Sequence, residues 1–101
     1  MYEGCPVELQ MIKMIREGVE EDKQTYFCEI LEHDPEKEYL YLLLMEASLD
    51  MISLDGVYEC RILDDENKVS CHGMVKERFR DKRGNLLVFQ IENGFYKNNL
   101  N

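Results

Sequence analysis

Five of the chain's 12 basic residues fall within eight positions, in the run Val75-Lys76-Glu77-Arg78-Phe79-Arg80-Asp81-Lys82-Arg83-Gly84. In an extended segment Lys76, Arg78 and Arg80 share one face, and Lys82 and Arg83 follow at the adjoining turn. Cations spaced in this way can hold a phosphate or carboxylate by charge-assisted hydrogen bonds. The competing reading is plainer: long basic side chains keep an outward strand face soluble and pair with nearby acids. No glycine loop or aromatic partner completes an anion cradle, so the plainer reading carries more weight.

Other chemistry finds less support. Cys71 and His72 are adjacent, and on a strand adjacent side chains point to opposite faces, which removes a Cys–His catalytic pair. His33 stands beside the turn set Asp34-Pro35. The four cysteines, Cys5, Cys28, Cys60 and Cys71, lie 23, 32 and 11 residues apart and form no CxxC, so neither a zinc ribbon nor a thioredoxin-type motif is present. The expectation is a chain with no catalytic set, no metal and no cofactor. Its cysteines are expected to be reduced and to act as small hydrophobes.

The elements that would position these residues follow from periodicity. Between Pro6 and Glu17, Val7, Met11, Met14 and Ile15 recur at helical spacing, with Leu9 and Ile12 widening the stripe. Pro6 suits a first helical position and Gly18 a left-handed stop, which predicts an N-terminal helix over about 6–17. From Gln24 the period becomes two. Tyr26, Cys28 and Ile30 alternate with Thr25, Phe27 and Glu29 up to His33-Asp34-Pro35. Tyr39 to Leu44 is apolar on both faces, as in a central strand. Glu46 to Asp55 reads as a connection with room for one helical turn.

Val57 to Leu63 alternates again, and Asp64-Asp65-Glu66-Asn67 turns the chain. Val69, Cys71, Gly73, Val75 and Phe79 then fall on one parity, with Lys68, Ser70, His72, Met74, Lys76, Arg78 and Arg80 on the other. Gly73 within that strand predicts a bulge or a barrel corner. Leu86 to Ile91 is a returning strand, Asn93-Gly94 a tight-turn pair before Phe95 and Tyr96, and the tail from Asn98 is expected to fray. The fold class is therefore mostly β: a single domain, residues 1–101, forming a small six-stranded antiparallel barrel with one N-terminal helix.

Charge narrows the partners. The chain has net charge −9, with −13 over residues 1–66 and +4 over 67–101. An acidic front half repels a phosphate backbone, so no nucleic acid is expected. No apolar run approaches the ~20 residues of a membrane span. The first ten residues, MYEGCPVELQ, lack the basic start and apolar segment of a secretory signal, which makes the cytoplasm the expected location.

Tyr39–Ile62 (YLYLLLMEASLDMISLDGVYECRI) followed by Val69–Lys97 (VSCHGMVKERFRDKRGNLLVFQIENGFYK) resembles the small PilZ-like barrels of clostridial bacteria. It is also similar to the barrel that precedes the PilZ domain in flagellar-brake proteins. The resemblance covers about the last two-thirds of the chain and is carried by strand order and by the phrases GVYECRI, GMVKERF and IENGFYK. It implies a six-stranded barrel and a non-catalytic role in bacterial signalling.

PilZ domains that bind cyclic di-GMP carry RxxxR upstream of [DN]xSxxG. Here no Arg is followed by Arg at i+4. Ser53-Leu54-Asp55-Gly56 has Met51 where the acid belongs. The family's ligand residues therefore do not carry over, and the implication is a degenerate member that binds another protein. The alternative is a cyclic di-GMP or other nucleotide sensor using Lys76, Arg78, Arg80, Lys82 and Arg83. Neither reading fixes the oligomeric state.

Overall fold

A computed structural model describes residues 2–64 and 68–97. Six strands run β1 (Pro6–Met14), β2 (Thr25–Asp34), β3 (Tyr39–Met45), β4 (Gly56–Leu63), β5 (Lys68–Asp81) and β6 (Gly84–Lys97), with one 3-10 turn at Leu49–Met51 before β4. They close into an antiparallel barrel in the order β1-β2-β3-β6-β5-β4, β1 joining β4 from Val7↔Ile62 to Met14↔Gly56.

The interior follows the period of two. Val7, Leu9 and Met11 of β1 point inward, as do Tyr26, Cys28 and Ile30 of β2 and Leu40, Leu42 and Leu44 of β3. Tyr58, Cys60 and Ile62 of β4, Val69, Cys71 and Val75 of β5, and Leu87, Phe89 and Ile91 of β6 complete the set. A barrel of this size is filled by its own side chains. Gly73 leaves room for β6 to pass close by: a Cβ there would stand 2.0 Å from the Gln90 carbonyl oxygen. The register is irregular at this point, as the sequence predicts for a glycine within a strand.

The N-terminal helix is a correction. Residues 6–14 form β1, hydrogen-bonded on both sides, to β2 and to β4. Val7, Leu9 and Met11 satisfy a period of two as well as helical spacing, and burial between two strands decides in favour of the strand. Gly18 does adopt the left-handed conformation (φ 79°), but within the β1–β2 loop and not at a helix end. Asn93-Gly94 is a second correction: both lie inside β6, with Asn93 opposite His72. The turn expected at 64–67 lies outside the described residues except for Asp64, and so does the tail from Asn98.

One end of the barrel is closed by the loops that precede β2 and β4. Ile52 is fully buried there as a plug. Above it the Tyr58 hydroxyl accepts the Ser53 N–H at 3.0 Å, and the Tyr26 hydroxyl donates to the Asp22 carboxylate. The opposite end is capped by aromatic rings, with Tyr2 and His33 packed on Phe95 at 5.1 and 5.4 Å between centroids.

Candidate functional site

The basic run is reorganised by a single extra residue. Val75 pairs with Phe89 and Glu77 with Val88, so Lys76 is a β-bulge and the inside–outside parity reverses beyond it. Phe79, expected inward with Val75, faces out and is 39% exposed. Arg78 pairs with the inward Leu87 and turns toward the closed end. Its guanidinium donates to the carbonyls of Leu49, at 3.2 Å, and Ile52. Arg78 therefore fastens the 3-10 turn that seats the plug.

Arg83 is engaged as well. Its guanidinium bonds the Asp81 carboxylate at 2.6 Å, and that hydrogen bond lowers the Asp81 pKa. Lys76, Arg80 and Lys82 are exposed and have no ion pair among the described residues. The hollow beside Lys76 is lined by Leu54, Met74, Val75, Gln90 and Glu92, with no second cation of the run. The structure thus does not gather Lys76, Arg78, Arg80, Lys82 and Arg83 around one point.

The topology offers another reason for these charges. β4 accompanies β5 only as far as Met74, so Val75–Asp81 has a ladder partner on the β6 side alone. An open edge invites strand addition from another chain, and lysine and arginine along it oppose that.

The two outer walls of the barrel differ. On the wall of β1, β4 and β5, Arg61 bonds Glu8 at 2.7 Å and Glu59 at 2.9 Å. The Tyr96 hydroxyl lies 2.6 Å from His72 Nε2 and donates toward Glu59 at 3.1 Å. Burial, and then the bond to Glu59, push the Tyr96 pKa up to about 12. Burial alone would lower the Arg61 pKa, and its two carboxylate partners outweigh that and raise it.

This network consumes its own donors and acceptors. The hollow beside Tyr96, formed with Tyr2, Val69 and Phe95, presents no further ionisable group other than the two phenols. Cys71 is buried behind His72, as strand geometry requires, and burial pushes the Cys28 thiol up to about 12, away from nucleophilic use at neutral pH. Among the described residues no three His, Cys, Asp or Glu side chains converge as metal ligands.

The wall of β2, β3, β6 and β5 mixes apolar and acidic side chains, with Glu29 opposite Leu43, Glu32 opposite Tyr41 and Glu77 opposite Val88. Phe27 faces Met45 across β2 and β3, Leu43 faces Leu86 across β3 and β6, Tyr41 faces Val88, and Phe79 faces Leu86 from β5. All lie on the outer parity. Leu86 and Val88 are only 3% and 6% exposed, yet they belong to this outer layer and not to the barrel interior. Phe27, Met45 and Phe79 remain open to solvent. A hollow of about 250 Å3 lies between Leu31, Tyr41, Phe79 and Leu86, with Glu32 and Arg83 at its polar margin. The signal for this wall was the two-sided apolar character of Tyr39–Leu44, which sequence reasoning assigned wholly to a central strand.

No protein-family model matches the chain, and no curated protein or solved structure matches it either.

Proposed function

We propose that this chain is a non-catalytic binding module that acts through protein–protein contacts, with the wall of β2, β3, β6 and β5 as the contact surface. One observation carries the reading: Phe27, Met45 and Phe79 stand exposed on one wall, around the outward but already covered Leu86 and Val88. Large apolar side chains exposed together on one face of a small domain mark interaction sites. Each such side chain contributes roughly 1.5–3 kcal/mol when fully buried. The ion-paired opposite wall, with its donors already used, supports contact on one side only. No helix among the described residues is long and apolar enough to cross a membrane.

A role in bacterial signalling, a cytoplasmic location and a PilZ-like kinship belong to the same proposal. They rest on the residue phrases of Tyr39–Ile62 and Val69–Lys97. Nucleotide sensing is the weaker alternative, because Arg78 is committed to backbone carbonyls and Arg83 to Asp81.

A photo-crosslinking residue placed at Phe79, and separately at Glu8, tests the proposal in the source cells. The expected result is a discrete protein adduct from position 79 and none from position 8. Equal labelling from both walls would refute a one-sided contact surface. Calorimetric titration with cyclic di-GMP is expected to give no saturable heat; micromolar binding abolished by Arg80→Ala with Lys82→Ala would favour the sensor.

A further inference from the structure

Two of the buried cysteines stand directly across a ladder from each other. Cys60 of β4 pairs with Cys71 of β5, both side chains point into the barrel, and neither has any exposure. Directly opposed residues of an antiparallel ladder have Cα atoms about 4.5 or 5.5 Å apart, depending on the kind of pair. Both separations lie inside the range of about 4.4–6.8 Å that a disulfide spans. The two thiols are already joined by a hydrogen bond. Drawing the sulfurs together to about 2.05 Å adds no volume to a filled interior and needs no change of strand pairing.

The other two cysteines have no such partner. Cys28 faces Val7 on one side and Leu44 on the other. β1 stands between it and Cys60, whose neighbour on that strand is Leu9. Two strand spacings come to about 9.5 Å, beyond the reach of a disulfide. Cys5 precedes β1, and its carbonyl accepts the Ile30 N–H at 2.9 Å. The free thiols are thus one matched pair and two singles.

We infer that Cys60 and Cys71 form a dithiol redox site, whose reactant is hydrogen peroxide and whose product is a Cys60–Cys71 disulfide. The interior selects a small reactant, because a barrel filled by its own side chains leaves no room for a mixed disulfide with a bulky thiol. In the closed barrel the bond to Cys71, and then burial, raise the Cys60 pKa and keep that thiol neutral. The pair therefore reacts from states in which β4 and β5 have locally parted. There one thiol loses its proton and its sulfur attacks a peroxide oxygen. The O–O bond breaks, and the departing hydroxide takes up a proton as water. The other cysteine's sulfur then attacks the sulfur of the resulting sulfenic acid, the S–O bond breaks, and a second water departs. Two thiols give up two electrons, and one peroxide becomes two waters. The new bond ties β4 to β5 between the neighbouring pairs Glu59↔His72 and Arg61↔Ser70, so oxidation fastens the ion-paired wall from inside. This site is independent of any contact on the opposite wall.

Peroxide treatment of the full chain, kept folded as judged by circular dichroism, tests it. Thiols counted in denaturant are expected to fall from four to two, and peptide mapping without reductant is expected to join Cys60 to Cys71 within one chain. The oxidised chain should resist urea, its unfolding constant lowered on the order of a hundredfold and returned by dithiothreitol. Low urea, which populates locally opened states, should speed the oxidation. Cys28→Ala is expected to keep the loss of two thiols, and Cys71→Val to abolish it; the map of the parent chain decides without either variant. Four thiols retained in the folded chain, a link from Cys60 or Cys71 to Cys28 or Cys5, or sulfinic acid at position 60 in place of a bond, overturns the inference.

Discussion

The barrel has two outer walls built from the same alternating strands, and they have opposite relations to solvent. On one, Glu8, Arg61, Glu59, His72 and Tyr96 bond to one another across three strands and β6. On the other, Leu43, Tyr41, Leu86 and Val88 lie among Glu29, Glu32 and Glu77, while Phe27, Met45 and Phe79 stay open to solvent. Both walls enclose one interior. What separates them is whether the outward parity can satisfy itself. The first wall pairs its charges across strands, while the second leaves Phe27, Met45 and Phe79 to gain free energy when something covers them. Substitutions on the first should therefore alter stability and leave association intact, and substitutions on the second should do the reverse.

The largest expected effect strikes the interior both walls share. Burial raises the Cys28 thiol from an ordinary value near 9 to about 12. A raised folded-state pKa favours the neutral thiol, so this contribution is complete below pH 9 and is lost as pH climbs toward 12. The loss from Cys28 alone is about 4 kcal/mol, and the buried Tyr58 and Cys60, also raised, act in the same direction. Chemical denaturation in the alkaline range should show stability falling steadily, with a shallower slope in Cys28→Val.

Gly73→Ala comes next, because it forces a methyl group against the Gln90 carbonyl on β5, the strand common to both walls. A loss of about 3 kcal/mol is expected in urea unfolding. Arg78→Ala releases the turn over Ile52 and should cost about 1–2 kcal/mol without changing either wall's chemistry. Glu59→Gln removes an Arg61 partner from the half-buried network and should cost under about 1 kcal/mol, with the crosslink from position 79 unchanged. Phe79→Ser should leave stability within about 0.5 kcal/mol of the parent while abolishing the crosslink from a probe placed at the exposed Phe27 of the same wall. A Phe79→Ser chain that unfolds but still associates would invert the contrast between the walls.

Much of the barrel could be read in advance. Tyr26, Cys28 and Ile30 alternate so regularly that only a strand suits them, and Tyr58, Cys60 and Ile62 do the same. The N-terminal segment was illegible because Val7, Leu9, Met11 and Met14 satisfy two periods at once. The partners that decide between them, Cys28 and Ile62, lie far along the chain. Lys76 marks the other limit. Nothing in its side chain announces a bulge, yet that one residue moves Phe79 from the expected interior to the contact wall and turns Arg78 from a ridge into a fastener. The wall was half legible. Tyr39, Tyr41 and Leu43 declared an apolar outer face, but their outward neighbours on β6 depend on a register that alternation does not specify.

The ring closes between its first strand and its fourth, so Val7 must find Ile62 before any interior is sealed. Hairpins such as β2–β3 and β5–β6 assemble from sequence neighbours, while this seam brings together parts of the chain about half its length apart, 55 residues at Val7↔Ile62 and 42 at Met14↔Gly56. Barriers of that type are governed by the entropy of joining distant segments, which places folding in the slow range of milliseconds to seconds found for β-barrels.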